Sequence, residues 1–152
     1  MHTENAVLIR APLEAIFSLA AEIERWPERL PHYRRVRPLA REGTRLLAHM
    51  AAWRDWIPVA WTAVQEVRPE LPAIFYRHVG GLTTGMYVEW RFEPVGDGGC
   101  TYRVAIAHRL DVPWPWAGPL VARYIIGDYF VRHIAGRTLH CIKQLAEQEA
   151  GR

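Results

Sequence analysis

Apolar and polar side chains alternate along most of the first 110 residues of this 152-residue chain, and the pattern then changes. Alternation at every second position predicts half-buried β-strands. Short connections between consecutive strands force antiparallel pairing. Seven stretches fit this pattern, separated by turn residues such as Gly, Pro, Asp and Glu: 5–10, 32–41, 44–54, 59–68, 73–79, 86–93 and 100–111.

Helical spacing is present in two other parts of the chain. Ala11-Pro12 begins a first helix, because proline is tolerated in a first helical turn, and Trp26-Pro27 is expected to end it, because the residue before proline avoids helical angles. A further short turn is predicted over 28–30. From Leu120 to Leu145 apolar residues recur at a helical period, which predicts one long amphipathic helix lying on the sheet.

The alternation predicts which side chains of strands four to seven face the helix. The pattern does not orient the third strand, and a one-residue bulge would reverse any of the other assignments. The predicted inward positions are Trp61, Ala63, Gln65, Val67, Ile74, Tyr76, His78, Met86, Val88, Trp90, Phe92, Tyr102, Val104, Ile106, His108 and Leu110.

Composition excludes several classes of protein. Half of the residues are hydrophobic, which argues against disorder, and the length suits one domain over 1–152. No stretch reaches the roughly 20 apolar residues of a membrane span. The N-terminus resembles no secretory leader and Cys100 and Cys141 suggest no disulfide, so we expect a cytoplasmic protein.

Charge and motif content suggest neither a nucleic-acid partner nor a bound metal or cofactor. The net charge is +3, and the arginines fall singly along the strands instead of forming a basic stripe. There is no CxxC or His-x-His pair for zinc and no glycine-rich phosphate loop. The oligomeric state stays open.

Two segments carry a family resemblance: IRAPLEAIF at 9–17 and ERWPERLPHY at 24–33. With the order of elements, they make the chain resemble the START-like (SRPBCC) superfamily, and within it the polyketide cyclase/dehydrase and coenzyme Q-binding families. The resemblance covers essentially the whole chain. It implies an α+β helix-grip fold, in which a seven-stranded curved antiparallel sheet with two short helices surrounds a long C-terminal helix. It also implies a cavity for a hydrophobic or aromatic molecule between sheet and helix.

The resemblance carries fewer implications for catalysis, because this superfamily contains binders, transporters and enzymes. Trp26 and Tyr33 match a Trp and a Tyr that aromatic-polyketide cyclases use in the first helical region. Those cyclases also use an arginine on the inner face of the fourth strand, where this chain has Gln65, a side chain without charge. This difference counts against polyketide cyclisation proper.

His78 and His108 are the candidate catalytic residues. Tight hairpins would place them abreast on the inner face, with backbones about 10 Å apart, so that one imidazole could act as donor and the other as base. The alternative is that each is a buried structural histidine. The other candidate ligand-binding residues are Trp26, Tyr33, Trp61, Gln65, Tyr76, Met86, Val88, Trp90, Tyr102, and Tyr124 and Asp128 on the closing helix.

One end of the predicted sheet collects the turns 55–58, 80–85 and 111–118, which are unusually aromatic. Loops are normally polar, so these residues form either an apolar cavity mouth or a plug of inward-folded rings. The candidate mouth residues are Trp53, Trp56, Leu82, Trp114 and Trp116.

The sequence is therefore compatible with three functions. The first is binding of a hydrophobic molecule, whether aromatic, polyketide-like or isoprenoid. The second is an enzyme of the cyclase/dehydratase type that uses the inward histidines. The third is transient contact with a membrane or a protein through the tryptophan-rich end.

Overall fold

One antiparallel sheet forms the body of the fold. The structure is a computed structural model, and it describes residues 2–81, 83–110 and 129–152. Within these ranges seven strands pair in the order β1-β7-β6-β5-β4-β3-β2, which confirms the predicted seven-stranded sheet. Their bounds are β1 (His2–Arg10), β2 (Tyr33–Glu42), β3 (Arg45–Arg54), β4 (Ile57–Arg68), β5 (Ala73–Gly81), β6 (Tyr87–Pro94) and β7 (Thr101–Arg109).

The helical region after β1 is broken earlier than predicted. Helix α1 (Leu13–Ala21) ends at Glu22, whose ψ of 65° is not helical, and a 3₁₀ turn follows over Ile23–Arg25. Trp26 has helical angles and begins α2 (Trp26–Arg29), with Pro27 in its first turn. The prediction that the first helix extends to Trp26 was therefore wrong. The helix stops before Glu22, and Pro27 does not end a helix but stands in the first turn of a new one, where proline is tolerated.

The closing helix α3 (Arg132–Ala150) follows a π-helical turn over 129–131. The predicted helical residues before 129 lie outside the described ranges. None of the helices within those ranges is long and apolar enough to cross a membrane.

The predicted inner faces of β4, β5, β6 and β7 are confirmed by burial. Representative residues of the four strands, Gln65, Tyr76, Trp90 and Ile106, are each 5% exposed or less. Strand β3, which the pattern did not orient, also has a buried inner face, formed by Leu46, Ala48, Met50 and Ala52.

Helix α3 packs closely on one side of the sheet. Its main neighbours are β1 and α1. The Asn5 side chain donates a hydrogen bond to the Arg132 carbonyl (3.2 Å), and Lys143 Nζ donates to the Leu8 carbonyl (2.6 Å). Because these contacts hold α3 over the β1 edge, space remains between its first turns and the middle strands.

Candidate functional site

A cavity of about 140 Å³ fills that space. Strands β3 to β7 form one wall, and the first turns of α3 with Phe130 and Val131 form the other. The walls are mainly apolar and aromatic, and the polar groups among the described residues are the side chains of two histidines, two tyrosines and two threonines, with the indole N–H groups of three tryptophans. Such a cavity offers apolar contact with a few directed hydrogen bonds, as small-molecule sites usually do.

Nine of the residues predicted from the sequence lie together around this cavity. They come from α2, from five strands (β2, β4, β5, β6 and β7) and from the residue before β6, so only the fold brings them into one place. They are Trp26, Tyr33, Trp61, Tyr76, His78, Met86, Val88, Trp90 and His108.

Two other predicted ligand-binding residues do not line the cavity. Gln65 is buried behind it, where it contacts Tyr76. Tyr102 is half-buried near the start of β7 and packs against the edge of the core. The predictions for Tyr124 and Asp128 lie outside the described residues.

The predicted mouth residues do not form a mouth in the described part of the chain. Trp53 is on the outer face of β3, where the Arg34 guanidinium lies 4.7 Å from its ring centroid. Trp56 is 81% exposed in the β3–β4 turn and does not line the cavity. Neither ring is part of the cavity lining within the described ranges. Leu82, Trp114 and Trp116 lie outside the described residues.

Sequence reasoning missed part of the lining. Met50 belongs to the strand that could not be oriented, and Thr83 lies in a turn. On the helix side, Val131 and Ile134 belong to the apolar stripe that predicted α3, and Thr138 lies one turn after Ile134. A buried threonine in an apolar helical stripe is the signal that could have identified this position.

His78 is held in a fixed orientation at the turn end of the cavity. Its ring is parallel to the Trp61 indole within 1°, with centroids 5.8 Å apart. Its Nδ1 lies 2.6 Å from the Thr83 hydroxyl. Burial lowers its pKa from 6.5 to about 4, so the ring is uncharged at neutral pH.

His108 is the least satisfied polar group at the cavity. Its Nδ1 is buried and has no hydrogen-bond partner among the described residues. Burial, followed by electrostatic contributions from His78 and His2, lowers its pKa to about 3. A neutral ring with a buried unpaired nitrogen can accept or donate one hydrogen bond, depending on its tautomer.

The two histidines are not abreast as predicted. Val88 pairs with Tyr76 on one side and with His108 on the other, so Tyr76 lies opposite His108 at about two strand spacings. The His78 amide instead donates to the carbonyl of Met86 (2.9 Å), two residues nearer the 80–85 turn than Val88. The two imidazoles therefore face the cavity diagonally.

Tyr76 is fixed from behind by Gln65. Gln65 Nε2 donates to the Ala21 carbonyl (2.9 Å) and to the Tyr76 hydroxyl (3.0 Å). Burial is the main cause that raises the pKa of Tyr76, and the phenol therefore keeps its proton across the physiological range. The pair links β4, β5 and the end of α1.

A second buried network joins the helix side to α2. His32 Nε2 lies 2.9 Å from the Thr138 hydroxyl, which donates to the Ile134 carbonyl (2.7 Å). Because that hydroxyl uses its own proton, His32 Nε2 must carry the hydrogen and donate it. Burial is the main cause that lowers the pKa of His32 to about 4. An interaction with Thr138 also opposes the rise that burial causes in the pKa of Tyr33.

No group of His, Cys, Asp or Glu side chains in the described ranges is arranged to hold a metal ion. The polar groups at the cavity are neutral hydrogen-bonding groups. The site therefore offers an apolar surface, aromatic stacking and proton-carrying groups with perturbed pKa values.

Comparison with known proteins gives one family match. The sequence profile of a family described as polyketide cyclase / dehydrase and lipid transport matches residues 9–123. A granaticin polyketide synthase bifunctional cyclase/dehydratase from Streptomyces violaceoruber is 30% identical over 72% of this chain, and the chain spans 34% of that protein's length. The ribosome association toxin RatA of Pseudomonas aeruginosa is 24% identical, over 99% of this chain and 98% of its own length.

A solved structure with similar topology is the Zhui aromatase/cyclase from a Streptomyces species. It is 18% identical, has a TM-score of 0.81, and the match covers 98% of this chain and 94% of that chain. At this level of identity the likeness concerns the fold.

Proposed function

Since the chain belongs to the polyketide cyclase/dehydrase and lipid transport family and has a START-like fold, we propose that it binds a hydrophobic small molecule in the cavity under α3. The observation that carries this proposal is the 140 Å³ space with mainly apolar and aromatic walls. A space of this kind in a protein interior costs stability when it is empty. A bound apolar molecule restores the lost contacts.

The size and the walls of the cavity indicate the kind of ligand. An engineered cavity of about 150 Å³ in another protein binds benzene, so this space suits about one ring and its substituents. Trp26, Trp61 and Trp90 supply flat aromatic surfaces. We therefore expect a ring-containing molecule, of aromatic, polyketide or isoprenoid origin, with at least one ring under α3.

A cavity-filling variant tests the proposal. Ala135 is buried on α3 and lines the cavity, so the ring of Ala135→Phe should occupy the ligand's place. The wild-type protein should bind α-methylstyrene in calorimetry and should release a co-purified apolar molecule on organic extraction, whereas Ala135→Phe should do neither. Ala150→Phe, at an exposed position of the same helix, is the matched control. Equal binding by the wild-type protein and Ala135→Phe would contradict the proposal.

Cyclase/dehydratase chemistry is a second candidate, favoured by the two uncharged histidines at the cavity. In a dehydration, one neutral imidazole would accept a proton from carbon. An N–H of the other would protonate the departing hydroxyl, which leaves as water. His78→Ala and His108→Ala should then abolish turnover of a β-hydroxy ketone and leave its binding intact. Full turnover in both variants would eliminate this candidate, against which Gln65 already counts.

Two further points about the protein's surroundings belong to the same proposal. Cys100 and Cys141 are free thiols, which suits a reducing cytoplasm.

The exposed Trp56 ring offers a contact for a membrane or a protein during ligand delivery. If so, Trp56→Ser should reduce association with lipid vesicles and leave ligand affinity unchanged; undiminished association would refute this role of Trp56.

A further inference from the structure

We propose that Tyr76 presents a hydrogen-bond donor to the ligand, that Gln65 fixes the direction of that donor, and that the cavity therefore selects ring compounds carrying an acceptor oxygen such as a ketone. This inference deepens the proposed binding function and rests on it. It concerns a pair of residues from adjacent strands, of which only Tyr76 touches the cavity.

The backbone of Ala21 fixes the orientation of the Gln65 amide. One end of that amide lies 2.9 Å from the carbonyl oxygen of Ala21, which can only accept a hydrogen bond. The amide atom at that end must therefore be the nitrogen, Nε2. The backbone of Ala21, at the end of α1, thus removes the usual ambiguity between the amide nitrogen and oxygen.

The same nitrogen of Gln65 determines the role of the Tyr76 hydroxyl. Nε2 of Gln65 also lies 3.0 Å from the Tyr76 hydroxyl, and an amide nitrogen can only donate. The hydroxyl oxygen of Tyr76 is therefore the acceptor in this bond. Its own hydrogen is free to point elsewhere.

The hydrogen of the Tyr76 hydroxyl therefore needs an acceptor other than Gln65. The structure shows no acceptor for it among the described residues, although Tyr76 is 95% buried and lines the cavity. A buried donor without an acceptor is unfavourable by more than an ordinary hydrogen bond contributes. A ligand oxygen in the cavity would satisfy it.

Three other polar groups at the cavity have partners within the protein. The Trp26 indole N–H donates to the Leu19 carbonyl (2.9 Å), and His78 Nδ1 pairs with Thr83. The Tyr33 hydroxyl interacts with Thr138 on α3. Tyr76 differs from His108 and from the indole N–H groups of Trp61 and Trp90, which also line the cavity, because its bond from Gln65 fixes the hydroxyl oxygen as an acceptor and so directs the hydrogen.

A pair of ring compounds of nearly equal shape tests the inference. Acetophenone carries a C=O group where α-methylstyrene carries C=CH₂, so only the ketone can accept a hydrogen bond. Tyr76→Phe should lower the affinity for acetophenone about tenfold and leave the affinity for α-methylstyrene unchanged or slightly higher. Tyr33→Phe, also at the cavity wall, is the matched control and should leave the ratio of the two affinities unaltered.

A vibrational measurement reports the same bond directly. In the wild-type protein the C=O stretch of ¹³C-labelled acetophenone should lie at lower frequency than in Tyr76→Phe, since hydrogen bonding weakens the carbonyl bond. Gln65→Met preserves the side-chain length but releases the hydroxyl, so the band should broaden and move towards its position in Tyr76→Phe. An unchanged band in Gln65→Met would overturn the role assigned to Gln65.

The outcomes separate this inference from the proposed function. If α-methylstyrene binds and Tyr76→Phe alters both affinities equally, the cavity is a binding site but Tyr76 is not the selecting donor. If neither compound binds the wild-type protein, both proposals fail. If Tyr33→Phe, and not Tyr76→Phe, removes the affinity for the ketone, the donor has been assigned to the wrong tyrosine.

Discussion

The imidazole of His78 lies parallel to the indole of Trp61, with 1° between the ring planes and 5.8 Å between the centroids. The two residues belong to neighbouring strands, and both line the cavity. The indole covers one face of the imidazole, so it contributes to the burial that keeps His78 uncharged. This relationship allows the environment of the site to be altered without changing its titrating group.

Trp61→Ala should raise the pKa of His78. Burial is the cause that lowers this pKa to about 4, and removal of the indole admits water to one face of the ring, so the pKa should move towards 6.5. An NMR titration of the His78 Cε1–H signal measures the change. Trp56→Ala, which removes an exposed ring, is the control, and an unmoved His78 signal in Trp61→Ala would contradict the expectation.

Acid should destabilise the protein through its buried histidines. The pKa values of His32 and His78 fall from 6.5 to about 4, and that of His108 falls to about 3. Between these values the unfolded chain binds more protons than the folded chain, so the free energy of unfolding decreases as the pH falls below about 6.5. The decrease is about 1.4 kcal/mol per pH unit for each histidine that stays neutral.

Urea unfolding at pH 7 and pH 5 measures this dependence. His78→Gln should reduce the difference in the free energy of unfolding between the two pH values, because one buried titrating group is removed. His140→Gln, at an exposed position on α3, controls for the loss of a histidine. Equal stability of the wild-type protein at both pH values would show that these rings are accessible to protons.

Thr138→Val should destabilise the fold by about 1–3 kcal/mol. The substitution keeps the shape of the side chain but leaves the buried Nε2–H of His32 without its acceptor. Thr138→Ser restores the hydroxyl and should recover most of the loss in urea unfolding. Equal instability of the Val and Ser variants would assign the effect to packing instead of to the hydrogen bond.

Gly81→Ala should cost about 3 kcal/mol, through strain and a steric clash with the strand beside it. Gly81 has φ +94°, and an added Cβ would lie 2.9 Å from the Ala60 carbonyl and 3.1 Å from the Trp61 Cα. Gly98→Ala is the control, since no described atom lies within 4 Å of its added Cβ. Its free energy of unfolding should stay within about 0.5 kcal/mol of wild type, and a similar cost for both variants would contradict the steric argument.

The sequence predicted the inner faces of β4 to β7 because each of those strands has a polar residue that marks the opposite face, such as Glu66, Arg77, Glu89 and Arg103. Strand β3 could not be oriented because apolar residues occupy both of its faces, as Leu46, Leu47 and Ala51 illustrate. Its orientation is fixed by pairing with β4, where Met50 lies opposite Trp61. Tertiary pairing supplies that information, and local pattern does not.

The candidate site was predictable in its apolar walls and less so in its hydrogen bonds. Trp90 and Val88 follow from alternation alone. The role of Gln65 depends on Ala21, which is 44 residues away in sequence, and no local pattern encodes that contact. The position of the Trp53 ring was not predictable, because an aromatic ring near a strand end can pack on either face, and here Arg34 covers it on the outer face.

The pairing of β1 with β7 affects the order in which the protein can assemble during translation. The ribosome makes residues 2–10 well before their partner strand, residues 101–109, and α3, which packs on β1, is made after both. Pairing over such a sequence separation slows folding. A nascent chain that ends before residue 129 therefore lacks the Phe130, Val131 and Ile134 side of the cavity, and the hydrophobic inner face of its sheet is a natural target for chaperones until α3 docks.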